Sequence, residues 1–414
     1  MCPSPINAFM FCGALLKSRA GIVLFLLTTL LLCARPAQAD ALPGLGTAPE
    51  TPDGNALPQN VETALTALLR AVPAGRPVPD AATLTPLLEY VRSGVASAEV
   101  RLQKRDQGAG AFTLATLRAP LQRVVRYYFD PSIPGEAIFP NSVRRHYWLP
   151  GSQILTRNIQ LWKRLENLNS SEPPLVVRGA EYEEITPDTF SGSYYSYTLD
   201  RLVILLQFQE RATVISVTRQ RGPSGVGRKG AILGKDSGWN YVYSKIEGSN
   251  LKLAGWASTY LYDSANVTIF YEPKPGAQTT DMAMFKYLRA GWANMNMVKS
   301  SHIAGGAKRF LDGLRQVLES PRLPKAEAVA EQARRLDAMD ADALRAALAP
   351  YNAALNTWSG ADSVLSSSDF KKLLEGNTYT MQLTPEEMRS ELIKQFMKQQ
   401  LGRPQLAAPA GAGR

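Results

Sequence analysis

The residues from Gly222 to Gly230 come closest to a chemical motif in this chain. Gly222-Pro223-Ser224-Gly225-Val226-Gly227-Arg228-Lys229-Gly230 spaces its glycines as a phosphate-cradling loop does. Such a loop lays backbone N–H groups and one lysine on the phosphates and a Ser or Thr hydroxyl on magnesium. Here Arg228 stands in the lysine position and Lys229 in the hydroxyl position, and the residues after Gly230 read as extended rather than helical. A glycine-rich link between antiparallel strands is expected instead, with no nucleotide and no other cofactor. Metal and acid–base chemistry are no better furnished. The two histidines, His146 and His302, lie in different elements, without the HxxxH or HExxH spacing of a zinc site. Glu181, Glu183 and Glu184, followed by Asp188, offer paired carboxylates, because i and i+2 share one face of a strand. A solvated outer face is the simpler reading of them. No G-x-S-x-G elbow sets a serine beside a histidine. The chain therefore reads as non-catalytic, with a hydrolase of unknown substrate as the last alternative.

The aromatic residues carry more. Trp239, Tyr241 and Tyr243 alternate along one expected strand, Tyr260 and Tyr262 along another, and Trp292 falls on an expected helix. Rings of this kind line ligand cavities, offering apolar area with a hydrogen-bonding tip. The competing reading is that they fill a core.

These rings need elements to hold them. Strands are expected at 176–185, 190–199, 201–208, 212–220, 238–246, 257–262 and 265–272. Turn residues such as Asp200, Gly222-Pro223 and Asp263-Ser264 separate them. Links this short imply antiparallel neighbours, because a parallel crossover needs a dozen or more residues. A helix over 281–319 comes next, with Phe285, Leu288, Trp292 and Met295 and then Ile303, Phe310, Leu314 and Val317 on its apolar face. Gly305-Gly306 is expected to bend it. Shorter helices are expected at 61–72 and 85–95, and after Pro321 at 325–339, 341–349 and 369–375. A last helix has Thr384 as N-cap, Pro385 at its first position and Glu387 as the capping-box acid. The fold class is α+β: a curved antiparallel sheet packed on a long C-terminal helix, with N- and C-terminal helical appendages.

The first residues read as an address. Lys17 and Arg19 precede an apolar run from Gly21 to Cys33, and Ala37-Gln38-Ala39 completes a cleavage signal. The run falls short of the roughly 20 residues that span a bilayer. Residues 1–39 are thus expected to be a removable signal peptide, and the periplasm, or secretion, the destination, with no transmembrane segment after cleavage. Cys2, Cys12 and Cys33 all lie within it, so from Asp40 onward there is no cysteine for a disulfide or a thiolate. The chain carries 46 Lys and Arg against 36 Asp and Glu, a net charge of +10 that falls to +7 without the signal peptide. No run of five like charges occurs, so a nucleic-acid partner is not expected. The organisation expected is a signal peptide (1–39), a flexible lead-in with short helices (40–114), a central α+β domain (115–320), a helical C-terminal region (321–401) and a disordered tail (402–414).

The run of strands from Phe190 to Glu272, closed by a helix over 281–319, resembles the helix-grip architecture of START-like and Bet v 1-like domains. The match covers about half the chain, and no ligand residue of that family transfers position by position. The resemblance implies a lipid or another hydrophobic or amphipathic ligand held between sheet and helix. The expected function is an exported binding protein for such a ligand, with Trp239, Tyr241, Tyr243, Tyr260, Tyr262 and Trp292 as its contacts. The alternative is a non-catalytic envelope interaction protein that meets a protein partner through its C-terminal helices.

Overall fold

A computed structural model describes residues 55–95, 100–169, 172–187, 191–251, 255–359, 368–374 and 378–406. The expected signal peptide with its three cysteines, the start of the lead-in, Asp188 and the tail from 407 lie outside them. The helices are α1 (Gln59–Ala71), α2 (Ala81–Arg92), α3 (Leu121–Phe129), α4 (Gly135–Ile138), α5 (Ser300–Leu318), α6 (Ala326–Asp337), α7 (Ala341–Ser359), α8 (Ser368–Leu374), α9 (Thr378–Gln382) and α10 (Pro385–Gln400). The strands are β1 (Ala109–Leu117), β2 (Val143–Trp148), β3 (Leu175–Ile185), β4 (Ser191–Tyr194), β5 (Ser196–Phe208), β6 (Arg211–Gln220), β7 (Arg228–Ile232), β8 (Tyr241–Glu247), β9 (Tyr260–Tyr271) and β10 (Thr280–Gly291).

Seven strands form one sheet in the order β1-β10-β9-β6-β5-β3-β2, with every neighbouring pair antiparallel. A smaller sheet, β8-β7-β4, stands beside it. The fold is thus α+β, an antiparallel sheet with helices. Side chains alternate across the large sheet, and each face has its own core. Leu202, Ile204, Ile215, Val217, Val267, Ile269, Ala283 and Phe285 meet α1 and α2 on one face. Val203, Leu205, Val214, Phe270, Met282 and Met284 join a core with α3, α5 and the helices after residue 325 on the other. The uninterrupted run Leu202-Val203-Ile204-Leu205-Leu206 is what burial of both faces demands of a central strand.

Several expectations are corrected here. Residues 280–291 form β10 between β1 and β9, not the first half of a helix. Phe285 and Leu288 do lie three apart, as on a helix face. Burial on both sides of a strand also produces near-continuous apolar residues, and pairing with two neighbours decides between the two. The helix proper is α5, which runs through Gly305-Gly306 without a break. Asp263-Ser264 is no turn: β9 continues through it with a register shift between Leu261 and Asp263. The extra residue there is Tyr262, the mark of a β-bulge. Asp200 likewise sits inside β5, and Pro350 inside α7. The helices of the lead-in and those after Pro321 pack on the sheet layers, with Leu65, Leu68, Leu344, Leu355 and Met397 fully buried there. The capping box at Thr384 and Glu387 forms as expected, with Glu387 N donating to Thr384 Oγ1 at 3.3 Å and Thr384 N to Glu387 Oε2 at 2.8 Å.

Candidate functional site

Of the carboxylates expected on a solvated face, Glu181 and Glu184 are buried and Glu183 is partly buried. β2 pairs with β3 so that His146 faces Glu183 and Trp148 faces Glu181, which turns all four toward the helices after residue 120. Glu181 is 1% exposed, and its Oε2 lies 2.7 Å from Arg201 Nη2 and 3.3 Å from His146 Nε2. Arg201 Nη1 donates to Ser216 Oγ at 2.5 Å, and Tyr197 donates its hydroxyl to Glu183. A second group continues the seam. Arg144 pairs with Glu184 at 2.8 Å and with Glu387 of α10 at 2.9 Å, and lies 4.0 Å above the Tyr243 ring. Burial alone would lower the His146 imidazole. The Glu181 carboxylate more than reverses that, so His146 holds its proton above the ordinary value.

This seam has the residue types of an acid–base site, with Glu181 buried and His146 partly exposed. None of His146, Glu181 and Arg201 lines the cleft between α1 and the ends of β6, β9 and β10 that is described below. Among the described residues no group of three His, Asp or Glu side chains is placed to hold a metal ion. The seam joins β2, β3 and β5 to one another and, through Glu387, to α10. Gly135 of α4 makes room for the imidazole, since a Cβ there would lie 2.5 Å from His146 Nδ1 and 2.7 Å from its Cγ. Gly135→Ala is therefore expected to push the ring off Glu181 and to cost about 1–3 kcal/mol. NMR titration checks it with few signals, because the chain has two histidines. The raised His146 pKa should fall back toward its ordinary value in the variant.

The six rings expected to line one cavity divide into two groups. Trp239, Tyr241 and Tyr243 are 0%, 0% and 5% exposed and belong to the core between sheet and helices. Trp239 is not on a strand at all. It takes a left-handed conformation with φ of 57° just before β8, and Arg403 lies 4.0 Å above its ring. Tyr241 donates to Asp236 Oδ1 at 2.7 Å, and Arg309 of α5 holds the same carboxylate. These three rings pack inside this core and are not among the residues that line the cleft described below. Tyr260 and Tyr262 instead stack on each other at 5.9 Å at one end of the sheet. Trp292 is on the turn after β10 and not on a helix.

That end of the sheet carries a cleft of about 320 Å³ between α1 and the ends of β6, β9 and β10. Four arginines border it, Arg70, Arg105, Arg219 and Arg289, with Asp106 and Asp263 between them. Arg105 is tied back to buried Glu62, and Arg219 lies 3.4 Å from Asp106. Arg70 is exposed at the rim. The bulge at Tyr262 sets Asp263 opposite Arg289. Burial raises the Asp263 carboxyl above its ordinary range, Arg219 opposes this and Asp106 adds to it. Tyr287 closes the floor at 3% exposed. Its hydroxyl is buried without a partner in good hydrogen-bond geometry, and Arg105 lies 5.0 Å above its ring. No local pattern in the sequence points to this cleft, because its arginines come from four separate segments.

Comparison of the chain with family models, with characterised proteins and with solved structures finds no match.

Proposed function

We propose that the protein is an exported, non-catalytic binding protein, acting in the periplasm, whose ligand is an amphipathic molecule with a phosphate-bearing headgroup. The observation that carries this reading is the cleft itself. Four arginines, the fork-shaped cation suited to phosphate, meet around about 320 Å³, with the unmatched Tyr287 hydroxyl on its floor. The stacked Tyr260 and Tyr262 stand beside it as a surface for acyl chains. The ligand position differs from the one the helix-grip resemblance implied, since the space between sheet and helices is occupied by Trp239, Tyr241 and Tyr243.

Calorimetry with a short-chain phosphatidylglycerol below its micelle concentration tests the proposal. The parent should bind, and Arg70→Ala and Arg219→Ala should each weaken binding about tenfold or more, as loss of a charge-assisted hydrogen bond does. A parent that does not bind, or arginine variants that bind like the parent, would defeat it. The second reading is an envelope interaction protein. The burial of Trp239, Tyr241 and Tyr243 between sheet and helices is compatible with it.

A further inference from the structure

The segment joining β10 to α5 shows apolar side chains to solvent on a backbone that is firmly held. Met295 and Met297 are 47% and 54% exposed, and Trp292 is partly exposed beside them. Ala293 and Asn294 are consecutive left-handed residues, with φ of 48° and 62°, a conformation that costs free energy for anything but glycine. Hydrogen bonds hold it there. Asn294 N donates to Tyr262 OH at 2.8 Å, and Arg289 donates to Asn294 O and Oδ1 at 2.8 and 2.6 Å. Asn296 Oδ1 accepts from Ala290 N and Val298 N, and its Nδ2 donates to Gln107 O. This loop is built to present Trp292, Met295 and Met297 rather than to bury them.

Its surroundings are basic. Arg289 belongs both to the loop and to the arginine cleft. Arg70, Arg219 and Lys299 are exposed around the same end, with Asp106 as the exposed acid. A tryptophan with two flexible thioethers, ringed by cations, is the composition that settles at a bilayer interface. The ring sits at headgroup depth, the methionines enter the acyl boundary and the cations meet anionic phosphates.

We infer that this end of the molecule docks on an anionic phospholipid membrane, with Trp292, Met295 and Met297 entering the interface and Arg70, Arg219 and Lys299 resting on its headgroups. Among the described residues no helix is long and apolar enough to cross a membrane, so the attachment is peripheral. The inference deepens the reading of the cleft as a headgroup site and rests on it for the source of the ligand: the docked face brings the cleft to the lipid.

The test is flotation of the whole exported chain with vesicles of phosphatidylglycerol and phosphatidylcholine, and with phosphatidylcholine alone. The parent should float with the anionic vesicles and not with the neutral ones, and added salt should release it. The variant Trp292→Ser, Met295→Ser, Met297→Ser should lose at least about tenfold in vesicle binding while keeping the parent's melting temperature and its affinity for short-chain phosphatidylglycerol. A parent that binds the short-chain lipid but does not float overturns the docking and leaves the cleft reading intact. A parent that floats through the loop without binding the short-chain lipid supports the docking and removes the cleft. A triple variant that floats like the parent overturns the role of the loop, and so does an exposed patch that proves to join two copies of the chain in sedimentation without any lipid.

Discussion

Arg201→Ala should cost the protein about 3–5 kcal/mol of folding stability, as loss of one member of a buried ion pair does. Arg201 and Glu181 are 6% and 1% exposed. Deleting the guanidinium leaves the carboxylate in a medium of low dielectric, with the shared His146 as its main counter-charge. Burial raises the Glu181 carboxyl, but Arg201 first and His146 second outweigh it and hold the group below its ordinary value. A depressed carboxyl adds stability above its unfolded pKa and loses it as the pH falls through the folded one. The gap between parent and variant should therefore be full near neutrality and shrink on acidification below about 4.5, the unperturbed value. Replacing both partners with apolar side chains, Arg201→Met with Glu181→Leu, should recover most of the loss. Urea unfolding of the three proteins decides. A double variant as unstable as the single one would mean that the cost lies in packing and not in stranded charge.

The second large effect has the same sign of pH dependence but falls in the alkaline range. Lys394 and Lys398 of α10 are both 0% exposed, one helical turn apart. Lys398 donates to Asn240, and Lys394 lies 3.5 Å from Tyr243 OH. Burial pushes Lys398 down to about 8 and also lowers Lys394, against the pull of Glu391. A lysine depressed in the folded state binds fewer protons there than in the unfolded chain, so stability rises with pH between the two values. From pH 8 to pH 10 the parent should gain on the order of 2 kcal/mol relative to Lys398→Met, which has nothing to titrate at that position. Above about pH 10 the buried tyrosines lower the stability of both proteins alike, because burial raises Tyr241, Tyr243 and Tyr351 while their unfolded counterparts ionise at the ordinary value. Equal pH profiles for parent and variant between 8 and 10 would show that Lys398 reaches water.

The part of the fold legible in the sequence was its strand meander and its last helix. Local signals suffice for both: short turns enforce antiparallel neighbours, and Thr384, Pro385 and Glu387 write a helix start in four residues. What escaped were features decided across the chain. β10 reads as a helix until β1 and β9 claim it, and β2 looks like nothing until Arg144-Arg145-His146 meets Glu181, Glu183 and Glu184 across a register. The run Leu202 to Leu206 did carry a usable signal, since a strand apolar at every position must be covered on both sides. That alone would have placed α1 and α2 on the sheet. The arginine cleft had no local signal, because one residue from each of four distant segments leaves no spacing to recognise. The rings were visible, but identity does not tell a ring that fills space from one that waits for a ligand.

The helix that closes one side of the core, α10, is also the last element among the described residues. Met388, Ile393 and Met397 complete an apolar layer whose other members are supplied from residue 115 onward. While the polypeptide emerges from the ribosome, the strands can pair as they appear and α3 and α5 can cover their part of that face, but the layer that α10 completes stays open until residue 400 has been made. Vectorial synthesis therefore delivers this protein in two stages, an early assembly of α1, α2 and the sheet and a late sealing by α10. In the interval the apolar surface of that layer is exposed, the condition under which incomplete chains aggregate.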